Sequence, residues 1–172
     1  MKYLGLLILF FSITSCCSKK HADNKSSITS FVCPNKGDCI LEIIKNKGIT
    51  LKKINDNDVA YEIVEDSTKM VVKYNYSVNQ DQVIYDGGYA EEIIFEINAK
   101  DYNETLIDKE LINAKIFYRR FCACRGKTGL VLISKGKLEV TNLEGKINLN
   151  LDFDCGDVPQ IIKNIKVVDG KL

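Results

Sequence analysis

The chain has no tryptophan, only two prolines and a single histidine in 172 residues. That histidine, His21, sits in a polar stretch ahead of the first strand-like pattern, so the part that can fold has none. Its absence there excludes Ser/His/Asp and Cys/His hydrolases and His-ligated catalytic metals. No Gly-rich phosphate loop opens a helical pattern either. Charge of one sign is also lacking. The net charge is +1, which gives no global attraction to nucleic acid or anionic lipid, and no nucleic-acid partner is expected. Arginine is scarce and concentrated: Arg119, Arg120 and Arg125 are the only ones, and every other basic residue is lysine.

At the N-terminus, Lys2 precedes an apolar run from Tyr3 to Ile13. The run is shorter than the roughly 20 residues needed to span a bilayer. A positive start, a short apolar centre and small residues before a cut make residues 1–15 a secretory signal peptide. Thr14 and Ser15 before Cys16, with Ile13 where leucine is usual, resemble the lipobox of bacterial lipoproteins. The resemblance implies cleavage before Cys16, acylation of Cys16, and a membrane partner reached through that lipid. Several acyl chains would hold firmly where one binds only marginally. Cys17 follows the anchor, and no aspartate does. By analogy with lipoprotein sorting in Gram-negative bacteria, this implies the cell envelope and its outer membrane. Residues 16–30 read as a lipidated flexible tether, being polar and without hydrophobic period.

Residues 31–172 are long enough to bury a core. Ile147, Leu149, Leu151 and Phe153 alternate with Asn148, Asn150, Asp152 and Asp154, the period of a half-buried antiparallel strand. Cys155 continues the apolar parity and should point inward. Ile93, Phe95 and Ile97 form a second strand, with Glu92 and Glu96 on its other face. Met70 to Val78, Val59 to Ile63, Ile40 to Ile44, Ile49 to Ile54, Leu130 to Ile133, Leu138 with Val140, and Ile165 to Val168 are further candidates. Turn signals separate them: Asn46-Lys47-Gly48, Asn55 to Asp58, Asp86-Gly87-Gly88, Ser134-Lys135-Gly136 and Glu144-Gly145. The expected class is all-β, a single antiparallel β-sandwich or barrel. One short helix is expected near 104–114, a stretch whose apolar residues also suit a packed loop. The pattern from Gly136 to Phe153 looks like the hairpins of small β-rich lipoproteins common in Bacteroidota, a likeness that carries no known active site.

An exported chain meets an oxidising compartment, so disulfides are the default for Cys33, Cys39, Cys122, Cys124 and Cys155. Cys33 and Cys39 bracket a turn-rich loop and are expected to pair, contributing about 2.4 kcal/mol through loop closure. Cys122 and Cys124, two apart on one strand face, stand near the upper limit for joining each other. One of them is therefore expected to reach Cys155, leaving the other over. The alternative is a redox or metal pair at Cys122-Ala123-Cys124, with Arg120 and Arg125 lowering the thiolate pKa. Zinc would need a fourth ligand, with no histidine to supply it, so no metal and no cofactor are assigned.

Asp152, Asp154 and Asp157 resemble the start of a calcium loop, but Lys163 stands where an EF-hand needs glutamate, and a solvated strand face is the simpler reading. Glu91, Glu92 and Glu96 offer carboxylate pairs of the kind glycosidases use, as any polar strand face does. No catalytic residue is assigned. Arg119, Arg120, Arg125 and Lys127, beside Tyr118 and Phe121, suit carboxylate or phosphate recognition. The plainer reading pairs the arginines with Glu91, Glu92 or Asp108. Tyr85 and Tyr89 add a candidate aromatic loop. The expected function is an exported, membrane-anchored, non-enzymatic module. It binds a protein or a small anionic ligand through Arg119, Arg120, Arg125, Lys127, Tyr85 and Tyr89. The alternatives are a thiol redox protein using Cys122 and Cys124, and a structural envelope or assembly subunit.

Overall fold

The computed structural model describes residues 31–54, 59–78, 88–100, 102–124 and 129–171. The lipidation site Cys16, the signal peptide and the tether lie outside these residues. So do Tyr85, Arg125 and Lys127, and the turns expected at 55–58 and at Asp86-Gly87.

Two antiparallel sheets pack face to face, and they do not close into a barrel. The first has the order β1(Gly37–Lys53), β2(Val59–Val78), β3(Tyr89–Asn98), β5(Phe117–Cys122), β6(Gly129–Leu132). The second has the order β4(Tyr102–Ile107), β7(Gly136–Leu143), β8(Lys146–Phe153), β9(Asn164–Lys171). The core between them draws on the alternating residues of both sheets, among them Tyr74, Phe95, Tyr118, Leu149 and Ile165. Phe31 adds a bridge to Val167 of β9 and sets its ring edge-on to Tyr74, 6.1 Å between centroids.

The β7–β8 hairpin turns at Glu144-Gly145, both with positive φ (52° and 75°). Two such residues make the turn whose twist matches the strands it joins. Gly136 opens β7 with φ +136°, and a Cβ there would lie 2.1 Å from the Asp152 carbonyl oxygen. The position accepts only glycine without moving β8.

Two expectations change. The four short candidates between Ile40 and Val78 are two long strands, paired almost throughout as one hairpin. Asn46 bends β1 instead of reversing it, with φ 58°, and the register jumps from Lys45 against Met70 to Lys47 against Glu65. The far half of the hairpin then folds over the outer face of its own sheet, where Ile49, Val71, Ile94 and Phe117 form a second small core. The helix expected near 104–114 is confined to a short 3₁₀ helix, Asp108–Ala114. Leu106 lies opposite Leu138 in the ladder, buried as a strand residue. Asp108 turns the chain at φ 50°, and its carboxylate accepts the Gly136 amide at 3.0 Å.

Candidate functional site

The expected site residues converge, where described, on the ladder between β3 and β5. Its register sets Tyr89 opposite Cys122, Glu91 opposite Arg120, and Glu92 opposite Arg119. Side chains alternate across a strand, so neighbouring arginines and neighbouring glutamates part company. Arg120 and Glu91 turn toward the interior of the sandwich, while Arg119 and Glu92 turn outward beneath the folded-over hairpin. Arg119 and Arg120 therefore do not share one surface.

Glu91 is 1% exposed. It shares parity with Ile93 and Phe95 and fastens the β8–β9 connection against the first sheet. One carboxylate oxygen accepts the Ile162 amide at 2.8 Å, and the other accepts the Ile161 amide and the Tyr89 hydroxyl. The Tyr118 hydroxyl donates to the Pro159 carbonyl at 3.3 Å. Gln160 closes the loop, accepting the Cys155 amide at 2.7 Å and donating to the Ile162 carbonyl at 2.7 Å. Burial pushes the Tyr89 hydroxyl up to about 12, helped by its bond to Glu91 and that carboxylate's charge. Glu91's inward aim was legible in its parity. Gln160's role had no signal, because a loop glutamine looks the same whether or not its amide finds backbone partners.

On the outer face, the expected half-buried polar side is instead enclosed. Glu92 and Glu96 are each 4% exposed, because the folded-over hairpin covers them. Glu92 bonds Lys73 and Arg119, both at 2.8 Å. Burial alone would raise the Glu92 carboxyl, but the Lys73 bond and charge, with Tyr61 and Arg119, outweigh it and hold it below the ordinary carboxylate range. Arg119 stacks its guanidinium over Phe121 at 4.6 Å and over Tyr61 at 5.6 Å. Glu96 accepts the Ile49 amide at 2.8 Å and pairs with Lys115 at 3.1 Å, and Lys115 also donates to the Ile49 carbonyl at 2.7 Å. Glu92 and Glu96 thus share a face but are held by bases and backbone. Asp152 and Asp154 are similarly occupied, by Asn164 at 2.7 Å and by the Gly156 amide at 2.8 Å. Among the described residues no group of three His, Cys, Asp or Glu side chains is arranged to hold a metal ion.

Cys33 and Cys39 are bridged, as their spacing led us to expect, with Cα atoms 5.8 Å apart. The other pairing differs. Cys122 bonds Cys124, and Cys155 is a free, buried thiol. β5 ends at Cys122 and the chain bends at Ala123, which brings the two Cα atoms to 5.1 Å. On a continuing strand they would stand about 6.6 Å apart. Cys155 does point inward, as its parity predicted, and burial with the charges of Glu91 and Asp154 pushes its thiol up to about 12. Beside the Cys122–Cys124 bridge lies an open apolar recess of about 490 Å³, lined by Val78, Tyr89, Ala90, Phe121, Cys122 and Ala123 among others. Phe121 is 44% exposed at its rim.

Comparison with known protein families, curated proteins and solved structures finds no match to this chain.

Proposed function

We propose that this protein is an exported lipoprotein, anchored in the cell envelope through Cys16, whose β-sandwich binds a partner and does not catalyse. The lipobox-like Ile13-Thr14-Ser15-Cys16 carries the address. The observation that carries the binding reading is the recess where the arginine-bearing strand and Tyr89 meet. An exposed aromatic, Phe121, lies under the guanidinium of Arg119 at the end of β5. An exposed aromatic at the rim of an apolar hollow, with an arginine stacked on its ring, has the composition of a protein-binding hot spot. A protein partner offering a carboxylate beside an apolar side chain fits it, and so does a small anionic ligand with an apolar body. The interior carboxylates favour scaffolding over chemistry, since the amides, hydroxyls and bases around Glu91, Glu92 and Glu96 already engage them.

The anchor is tested by mass spectrometry of membrane-extracted protein. An acylated N-terminal Cys16 is expected, and an unmodified N-terminus removes the anchor. The surface is tested by crosslinking in the envelope, comparing the native protein with the Arg119→Glu, Arg125→Glu double variant and with Phe121→Ser. Loss of the same partner from both variants is expected. An unchanged set of partners in both would refute the surface. A structural subunit is the competing reading, favoured by β1, a seventeen-residue strand that pairs with β2 alone among the described strands. Concentration-dependent assembly measured by light scattering would support it.

A further inference from the structure

We propose that the Cys122–Cys124 bridge is a thiol–disulfide exchange site, and that its substrate is a dithiol polypeptide segment seated in the apolar recess. The inference rests on the recess proposed above as the partner's seat, adds to binding a stoichiometric exchange with that partner, and does not depend on the lipid anchor.

The two bridges of this protein stand in different surroundings: both cysteines of one are half-buried, while the other has one half-buried and one exposed cysteine. Cys33 and Cys39 pack against the main core, and the Tyr74 hydroxyl donates to Cys39 Sγ at 2.9 Å. Cys124 is exposed, Ala123 is exposed, and Cys122 is half-buried where it lines the recess. The bridge closes no large loop, since its cysteines are separated by two in sequence. It therefore constrains the unfolded chain little. A bond with so small a structural return, placed at the mouth of an apolar hollow, is well situated for exchange.

The position of the hollow selects the sulfur that is attacked. A substrate thiolate held in the recess reaches Cys122 Sγ, forms a mixed disulfide there, and expels Cys124 as a thiolate. That leaving group stays hydrated because Cys124 is exposed. The substrate's second thiol, deprotonated by water, then attacks its own sulfur in the mixed disulfide and releases Cys122. The substrate loses two electrons and two protons and leaves with an internal disulfide. Cys122 and Cys124 gain two electrons and take up two protons from water. Cys155 does not intercept the reaction, because a buried thiol held protonated is a poor nucleophile.

The first test equilibrates the folded protein in graded mixtures of reduced and oxidised dithiothreitol, followed by alkylation and peptide mapping. Cys122–Cys124 is expected to open with at least about tenfold less reductant than Cys33–Cys39, while near-ultraviolet circular dichroism stays native. The proposal is overturned if the two bridges open together, or if Cys122–Cys124 opens only as the fold is lost. The second test offers an apolar peptide with an activated cysteine to Cys124→Ser and Cys122→Ser. The thiol at Cys122 is expected to capture the peptide about tenfold faster than the more exposed thiol at Cys124. Phe121→Ser should abolish that preference while leaving capture of glutathione disulfide unchanged. Faster capture at Cys124, or equal capture of peptide and glutathione at Cys122, rejects the recess as the substrate site.

Discussion

The two faces of the five-stranded sheet bury their side chains by different means. The inner face is an apolar core into which Glu91 and Arg120 also turn, and the Glu91 oxygens are taken by loop amides and a tyrosine hydroxyl. The outer face is a thin apolar patch framed by ion pairs, in which Glu92 and Glu96 meet Lys73, Arg119 and Lys115 under a folded-over hairpin. A sheet needs only one face in a sandwich core, so the other is free for polar residues until something covers it. Here the same chain supplies the cover, and the polar residues of that face become its fastenings.

Glu91→Ala should separate the faces most sharply. It leaves the Ile161 and Ile162 amides without their acceptor, and the buried Arg120 loses its register neighbour. A loss of about 3–5 kcal/mol in urea unfolding is expected, the scale for uncovering buried polar and charged groups. A loss under about 1 kcal/mol would show that water replaces the carboxylate and that the loop is not fastened there. Glu96→Ala on the outer face should cost less, about 2 kcal/mol, as for a hydrogen bond to a charged group. Its specific mark is faster exchange of the Ile49 amide as the hairpin loosens, while the amides of β8 keep their protection. Uniform acceleration across both sheets would mean that the hairpin is not a separable cover.

Smaller again is the pair Arg119 and Glu92, which is partly exposed on the arginine side. A double-mutant cycle through Arg119→Ala and Glu92→Gln should give a coupling of about 1 kcal/mol. Arg119→Lys should retain only part of the coupling, since an ammonium cannot stack on Phe121 and Tyr61 as a guanidinium plane does. The smallest effect is a pH dependence. Glu92 has its folded pKa lowered from the ordinary 4.5. Its contribution is therefore present above about pH 4.5 and is lost as the pH falls through the lower folded value. Acid unfolding of Glu92→Gln should be flatter than native in that window. An unchanged slope would place the acid-labile group elsewhere.

The parts of the fold that follow from local rules were legible. The alternation in Ile147 to Phe153 depends only on the two-residue period of a strand, and β8 spans it. The Glu144-Gly145 turn depends on two residues that must join adjacent strands. Cys33 and Cys39 pair across a loop too short to leave much choice. The candidate site was legible residue by residue but not as an arrangement. Arg119 and Arg120 stood out by composition, and strand parity alone sends them to opposite faces. The Cys122–Cys124 bridge replaces the expected link from one of them to Cys155 because the bend at Ala123 ends the strand that the expectation extended through it.

By itself the sequence determined the class, because alternation and turn chemistry act over a few residues and are written in their order. It also determined that residues 31–172 carry no histidine, since composition is independent of conformation. The tertiary structure decided that the hairpin of β1 and β2 doubles back over its own sheet. It also decided which glutamates became internal fastenings and which cysteines met. Those outcomes rest on contacts between residues far apart in the chain, such as Ile49 with Glu96 and Glu91 with Ile162. Contacts of that kind depend on where a bend such as Asn46 aims the segment that follows it, and no local pattern encodes that direction.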